Sequence, residues 1–203
     1  MTTAQTVDTA GAPPPAEQTA NWGDIAVGYA RELASHDFRR GELAELRRMD
    51  PDAPDAAVVW RLLARRDLLR GPQIENKWAL ILHGIALMTP TASGDRTNRT
   101  AHDGSMAVGR ALYLGGESQR ATAYYSEMRL NRLLTARGPI LRTLLARLFR
   151  MLAAAGQPFN WREMAWFIRN EGYNEEAAQQ ARRRIAREYY RIEGQSRSSD
   201  QNG

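Results

Sequence analysis

Residues 74–88 read IENKWALILHGIALM. Wound at 100° per residue, this run is apolar on almost every side, which makes it a central buried helix rather than a surface one. Residues 139–155 contrast with it. There Ile140, Leu141, Leu144, Leu145, Leu148, Met151 and Leu152 fall on one stripe, with Arg142 and Arg147 on its two flanks and Arg150 opposite. Pro139 opens that helix in the first turn, where a missing N–H costs nothing.

Outward from these two, nearly every segment carries helical spacing and no alternating run makes a strand. Helices are expected at about 24–35, 41–48, 55–69, 74–88, 105–114, 126–136, 139–155, 161–170 and 174–192. Asp55, Ser126 and Asn174 are candidate N-caps, and Asn160 with Glu163 forms a capping-box pattern. The reading is an all-α protein, a two-lobed helical bundle of about eight helices. The expected organisation is a disordered leader (1–20), an N-terminal helical lobe (21–92), a connecting loop (93–104), a C-terminal helical lobe (105–194) and a disordered tail (195–203). Leader and tail hold too little apolar bulk to offset their ordering entropy.

The chain has 203 residues, and 43% of them are hydrophobic, enough to bury a core. No apolar run reaches membrane-spanning length. With no signal-like N-terminus, the expectation is a cytoplasmic protein with no membrane partner. Cysteine is absent, which removes disulfides, thiolate metal sites and cysteine nucleophiles. His36, His83 and His102 sit in separate segments, so no metal set forms. His83 reads as a satisfied core imidazole, and His102 as a loop residue able to touch phosphate. No phosphate-binding loop and no nucleophile–base–orienter set can be assembled. The expectation is a non-enzyme without metal or cofactor.

Charge is the informative feature. Of 28 basic residues Lys77 alone is lysine, and the net charge is +5. Residues 96–150 hold ten arginines against Asp103, Glu117 and Glu127, while the remaining chain is slightly acidic. A basic middle on a balanced remainder suggests a surface facing a polyanion. Arg129 and Arg132 share one flank of a helix, where two cations repel unless an anion lies between them. Arg40 and Arg47 share a face if their helix continues through Gly41. The cluster from Arg182 to Arg191 reads as a solvated face, because Glu175, Glu176 and Glu188 lie nearby. Tyr113, Tyr124 and Tyr125 interleave with the basic stretch and read as core or interface residues. The five tryptophans read as packing.

The ordered blocks GELAELRR (41–48), AHDGSMAVGRAL (101–112), SEMRLNRLL (126–134), FNWREMAWFI (159–168) and RRRIAREYY (182–190) together resemble the CasB family. These are the small subunits of the type I-E CRISPR surveillance complex, Cascade. The resemblance spans about residues 22–192. It implies a non-catalytic helical protein, present as a pair of copies among the other Cascade subunits. It further implies contact with crRNA and target DNA, above all the displaced single strand of the R-loop.

The candidate nucleic-acid-binding residues are Arg40, Arg47, Arg48, Arg99, Arg110, Arg129, Arg132 and Arg142. Five of them (Arg47, Arg48, Arg110, Arg129 and Arg132) lie in matching blocks, and Arg142 lies on the helix that follows. A protein serving any target should hold phosphates and leave the bases unread. Two other readings fit the residues: a helix-turn-helix regulator built on 159–188, and a purely structural helical scaffold.

Overall fold

The computed structural model describes residues 21–90 and 100–201, with side chains to Ser198. The leader and the segment 91–99, with Arg96 and Arg99, lie outside the described residues. Nine helices form among those described: α1 (Trp22–Ala34), α2 (Arg40–Arg48), α3 (Ala57–Ala64), α4 (Pro72–Met88), α5 (Val108–Leu114), α6 (Glu127–Thr135), α7 (Gly138–Ala154), α8 (Trp161–Asn170) and α9 (Glu175–Gln201). The all-α expectation holds. No helix among the described residues is long and apolar enough to cross a membrane.

The run that opened the reading is the axis of the fold. Every residue of α4 from Trp78 to Ala86 is buried. Helices α1, α2, α3, α7 and α8 all pack on α4, so the two halves of the chain share one continuous core. Trp22 stacks on Trp78 at 4.5 Å between ring centroids, and Tyr29 meets the same indole edge-on at 5.7 Å. On the opposite side Trp161 lies 5.1 Å from Phe149 and 4.8 Å from Phe159. Gly84 makes that approach possible. A Cβ there would stand 2.5 Å from Phe149 Cδ2 and 2.6 Å from Trp161 Cη2.

A second close approach joins α5 to α9. A Cβ on Gly109 would lie 2.0 Å from the Ile185 carbonyl oxygen and 2.7 Å from the Tyr189 nitrogen. Helix α9 is thereby clamped between α5 and α8, with Ala178, Arg182, Ile185 and Tyr189 on its buried side. It continues to Gln201, through the stretch whose composition suggests no fixed structure. Extending an existing helix costs far less than nucleating one, and Arg197 pairs with Glu193 at 2.9 Å on this last part.

The caps follow the sequence only in part. Asn160 Oδ1 accepts from the Arg162 N–H at 3.0 Å, and Asn174 Oδ1 accepts from the Ala177 N–H at 3.0 Å. Glu163 does not close the box. Its Oε2 accepts from the Val108 N–H at 3.1 Å, at the start of α5. Ser126 makes no side-chain cap. Helix α3 begins after Ala56 rather than at Asp55 and ends at Ala64, because the chain turns at Asp67 with φ +52°.

Gly84→Ala and Gly109→Ala are each expected to destabilise the protein by about 1–3 kcal/mol through overpacking. Gly194→Ala, in open space within α9, should be neutral or stabilising by up to about 1 kcal/mol. Urea unfolding of the three variants checks this.

Candidate nucleic-acid interface

An arginine can bind a phosphate only if its charge is not already committed inside the protein. The structure divides the arginines on that criterion. In α6, Leu130 and Leu133 are buried, which turns Arg129 and Arg132 outward, both exposed. Neither forms an ion pair among the described residues. Burial raises the pKa of the Tyr125 phenol, and the charges of Arg129 and Arg132 oppose the rise. The two arginines lie three positions apart on the exposed side of α6.

Arg110 on α5 is also exposed and without an ion pair among the described residues. Arg48 is exposed and, among the described residues, bonds the Ala44 carbonyl of its own helix at 3.3 Å. Arg40 is exposed at the first position of α2.

Two candidates turn inward. Helix α2 does run through Gly41, yet Arg47 does not stay on an open face with Arg40. Its Nε donates to the Ala86 carbonyl at 2.7 Å, and an Nη donates to the Thr89 carbonyl. Arg47 thus satisfies carbonyls left unpaired at the C-terminus of α4, where a cation also suits the helix dipole. Arg142 donates to the Pro51 carbonyl at 2.9 Å, and its Nε lies 2.5 Å from Asp52 Oδ1. It fastens α7 to the turn between α2 and α3. Arg99 lies outside the described residues.

Other open cations come from positions outside the candidate set. Arg147 and Arg150 on α7, and Arg183 and Arg187 on α9, are exposed and form no ion pair among the described residues. Local spacing gives no signal for them: none has an acidic residue three or four positions away, but neither have Arg142 and Arg182, which are paired within the fold. Within the rest of the C-terminal cluster, Arg182 alone leaves the expected solvated face. Arg182 is only 2% exposed, binds Glu171 and Glu175, and lies over the Phe167 ring. Arg184 pairs with Glu163 at 2.8 Å and Arg191 with Glu188 at 3.2 Å.

The aromatic residues divide similarly. Tyr113 and Tyr125 are buried, and Tyr124 donates to the Met151 carbonyl at 3.2 Å. Trp22, Trp78 and Trp161 are core, but Trp60 and Trp166 are 38% and 47% exposed.

Two of the three histidines serve the fold. His83 Nδ1 donates to the Leu46 carbonyl at 2.9 Å, while its buried Nε2 has no partner among the described residues, so the core imidazole is only half satisfied. His102 Nδ1 accepts from the Trp161 N–H at 3.1 Å, capping α8 instead of facing outward. Burial lowers the pKa of both below the ordinary 6.5. Among the described residues no three His, Asp or Glu side chains stand together to hold a metal ion.

Against known proteins, the chain matches the family model of CRISPR-associated protein Cse2 over residues 42–190. That match takes in α2 almost entirely, α3 to α8, and α9 as far as Tyr190. No curated protein and no solved structure matches.

Arg47→Ala and Arg142→Ala should each lower unfolding free energy by about 1–3 kcal/mol, since both leave carbonyl acceptors unmatched. Arg129→Ala and Arg132→Ala should stay within about 0.5 kcal/mol of the parent. Thermal unfolding of the four variants separates the two groups. The histidines predict a pH effect of definite sign. Unfolding frees His83 and His102 to take up protons that the folded state resists, so stability falls as pH drops below about 6.5. Melting temperatures between pH 7.5 and 5 should decline, and less steeply in His102→Asn.

Proposed function

The chain belongs to the Cse2 family, the small subunits of type I-E Cascade, and on that premise we propose that it binds nucleic-acid backbone within the complex, without sequence preference. Its ligands are the guide–target duplex and the displaced non-target strand, and its role is to retain the R-loop once base pairing has opened the target. The chain is a non-catalytic part of that assembly. It works beside the other Cascade subunits, crRNA and a second copy of itself.

The observation that carries this reading is the pair Arg129 and Arg132. Two exposed guanidiniums stand three positions apart on α6, with no carboxylate paired to either among the described residues. In a chain where most arginines are committed, such a pair repels itself until an anion arrives. Arg110, Arg147 and Arg150 are open in the same sense and extend the cationic surface of α5 and α7. Charge of this kind reads backbone and not bases, as suits a subunit whose target is chosen by guide pairing.

If each copy meets about four phosphates of a single strand, log K falls with log salt at a slope of roughly −2.8, about 50-fold between 50 and 200 mM. Free subunit then binds weakly, and the assembly supplies the avidity. Arg129→Ala with Arg132→Ala, measured in reconstituted Cascade, is expected to shorten R-loop lifetime and reduce the salt slope by roughly 1.4. An unchanged lifetime and slope would overturn the proposal. A marked preference for one duplex sequence, by several kcal/mol, would favour a helix-turn-helix regulator instead.

A further inference from the structure

Helix α9 ties down the start of α6 with two consecutive tyrosines. The buried Tyr189 donates to the Tyr125 carbonyl at 2.7 Å, and Tyr190 donates to Glu127 Oε1 at 2.9 Å. Tyr190 does so from the surface, where it is 38% exposed. Its ring stands at 81° to that of Tyr189, with 5.4 Å between centroids, so its hydroxyl and its plane are both held. Arg187 and Arg183 precede it by three and seven positions, within about 60° round the same helix. Both are exposed and form no ion pair among the described residues.

On the α6 side of this junction, Met128 follows Glu127 and is 83% exposed. A lone apolar side chain on a surface needs no explanation by itself. This one lies on the outward face of the helix, opposite Leu130 and Leu133, with Arg129 next to it and Arg132 one turn on. The carboxylates nearest in sequence are engaged, Glu127 by Tyr190 and Glu188 by Arg191 at 3.2 Å.

A protein laid over this face would bury guanidiniums without counter-charge, a heavy cost unless it brought acids to match. A duplex offers phosphates but keeps its bases stacked inside, leaving Tyr190 and Met128 unused. A single strand offers both phosphates for the cations and open base faces for the ring and the thioether. Neither contact reads a base edge. Every base has a π-face, and the unbranched, polarizable methionine side chain adapts to any of them.

We infer that the junction of α6 and α9 is a stacking platform for single-stranded nucleic acid, with unpaired bases on Tyr190 and Met128 and their phosphates on Arg129, Arg132 and Arg187. The inference rests on the backbone-binding reading and narrows it, at this junction, to the unpaired strand. Stacking would hold that strand in place where charge alone lets it slide.

Strand binding is measured on the full chain at low salt, with oligothymidine and an abasic strand of equal length. Oligothymidine should bind more tightly by roughly fivefold or more. Tyr190→Ala should remove most of that difference, and Met128→Ala should narrow it by roughly twofold. Abasic binding should stay unchanged in both, because no charge is altered. Tyr190→Phe keeps the ring and gives up the bond to Glu127, and should bind like the parent. Strands carrying 5-iododeoxyuridine should photo-crosslink to Tyr190 or Met128.

Equal affinity of the parent for the two strands would overturn the platform and leave backbone binding standing. So would a base-dependent preference that survives replacement of both Tyr190 and Met128 by Ala. A Tyr190→Phe variant that fails as Tyr190→Ala does would reduce Tyr190 to a fastening for α6, and overturn the platform too. Unaltered strand binding by the double variant, together with its loss from purified Cascade, would assign the face to a protein partner instead. Absence of binding to either strand also overturns the platform, and with an R-loop lifetime insensitive to Arg129 and Arg132 it brings down the wider reading.

Discussion

A helix with no solvent face must be enclosed on every side, and here α4 sets that demand from Trp78 to Ala86. The enclosure takes helices from both ends of the chain. Helices α1, α2 and α3 come from before it, and α7 and α8 from after. Its tightest point is Gly84, where the absence of a side chain admits the rings of Phe149 and Trp161. Once these rings are seated, the directions of α7 and α8 are fixed. Helix α8 then fixes α9, and α9 fixes α5 through Gly109. Helices α5, α7 and α9, each carrying open arginines, are thus placed by a chain of packing constraints starting at one buried segment.

The arginines do two kinds of work. Some hold the fold: Arg47 at the end of α4, Arg142 at the turn after α2, and Arg182 between Glu171 and Glu175. Others, such as Arg129, Arg132, Arg147 and Arg150, take no ion-pair partner among the described residues. The difference is one of desolvation. A guanidinium drawn into the protein needs acceptors to replace its water, and those sites supply carbonyls or carboxylates. One left outside keeps its water until a polyanion displaces it. A basic balance by itself does not tell the two apart.

That distinction marks the limit of what could be read from the residues. Helix class and most helix positions were legible, because apolar periodicity is local: α4, α7 and α8 lie close to where their stripes put them. The outward flank of Arg129 and Arg132 was legible for the same reason. The inward turn of Arg47 and Arg142 was not, since their partners lie some 40 and 90 positions away in sequence. Nothing in local spacing shows that Asp52 comes to meet α7. Glu163 is similar: its spacing from Asn160 suggests a local cap, while tertiary packing gives it to α5 and Arg184. Arg147, Arg150, Arg183 and Arg187 carried no distinguishing mark either, since Arg142 and Arg182 equally lack acids three or four positions away.

Lys77, the one lysine, is itself engaged inside the fold, its ammonium donating to the Arg169 and Glu171 carbonyls at 2.7 and 2.8 Å. Every other side-chain cation of fixed charge is a guanidinium, which keeps its proton at any pH a cell attains. The cationic share of the protein's exterior is therefore fixed. Neither acidification nor the acylation that neutralises amines can dial it down, so ionic strength is the direct lever on its hold on a polyanion.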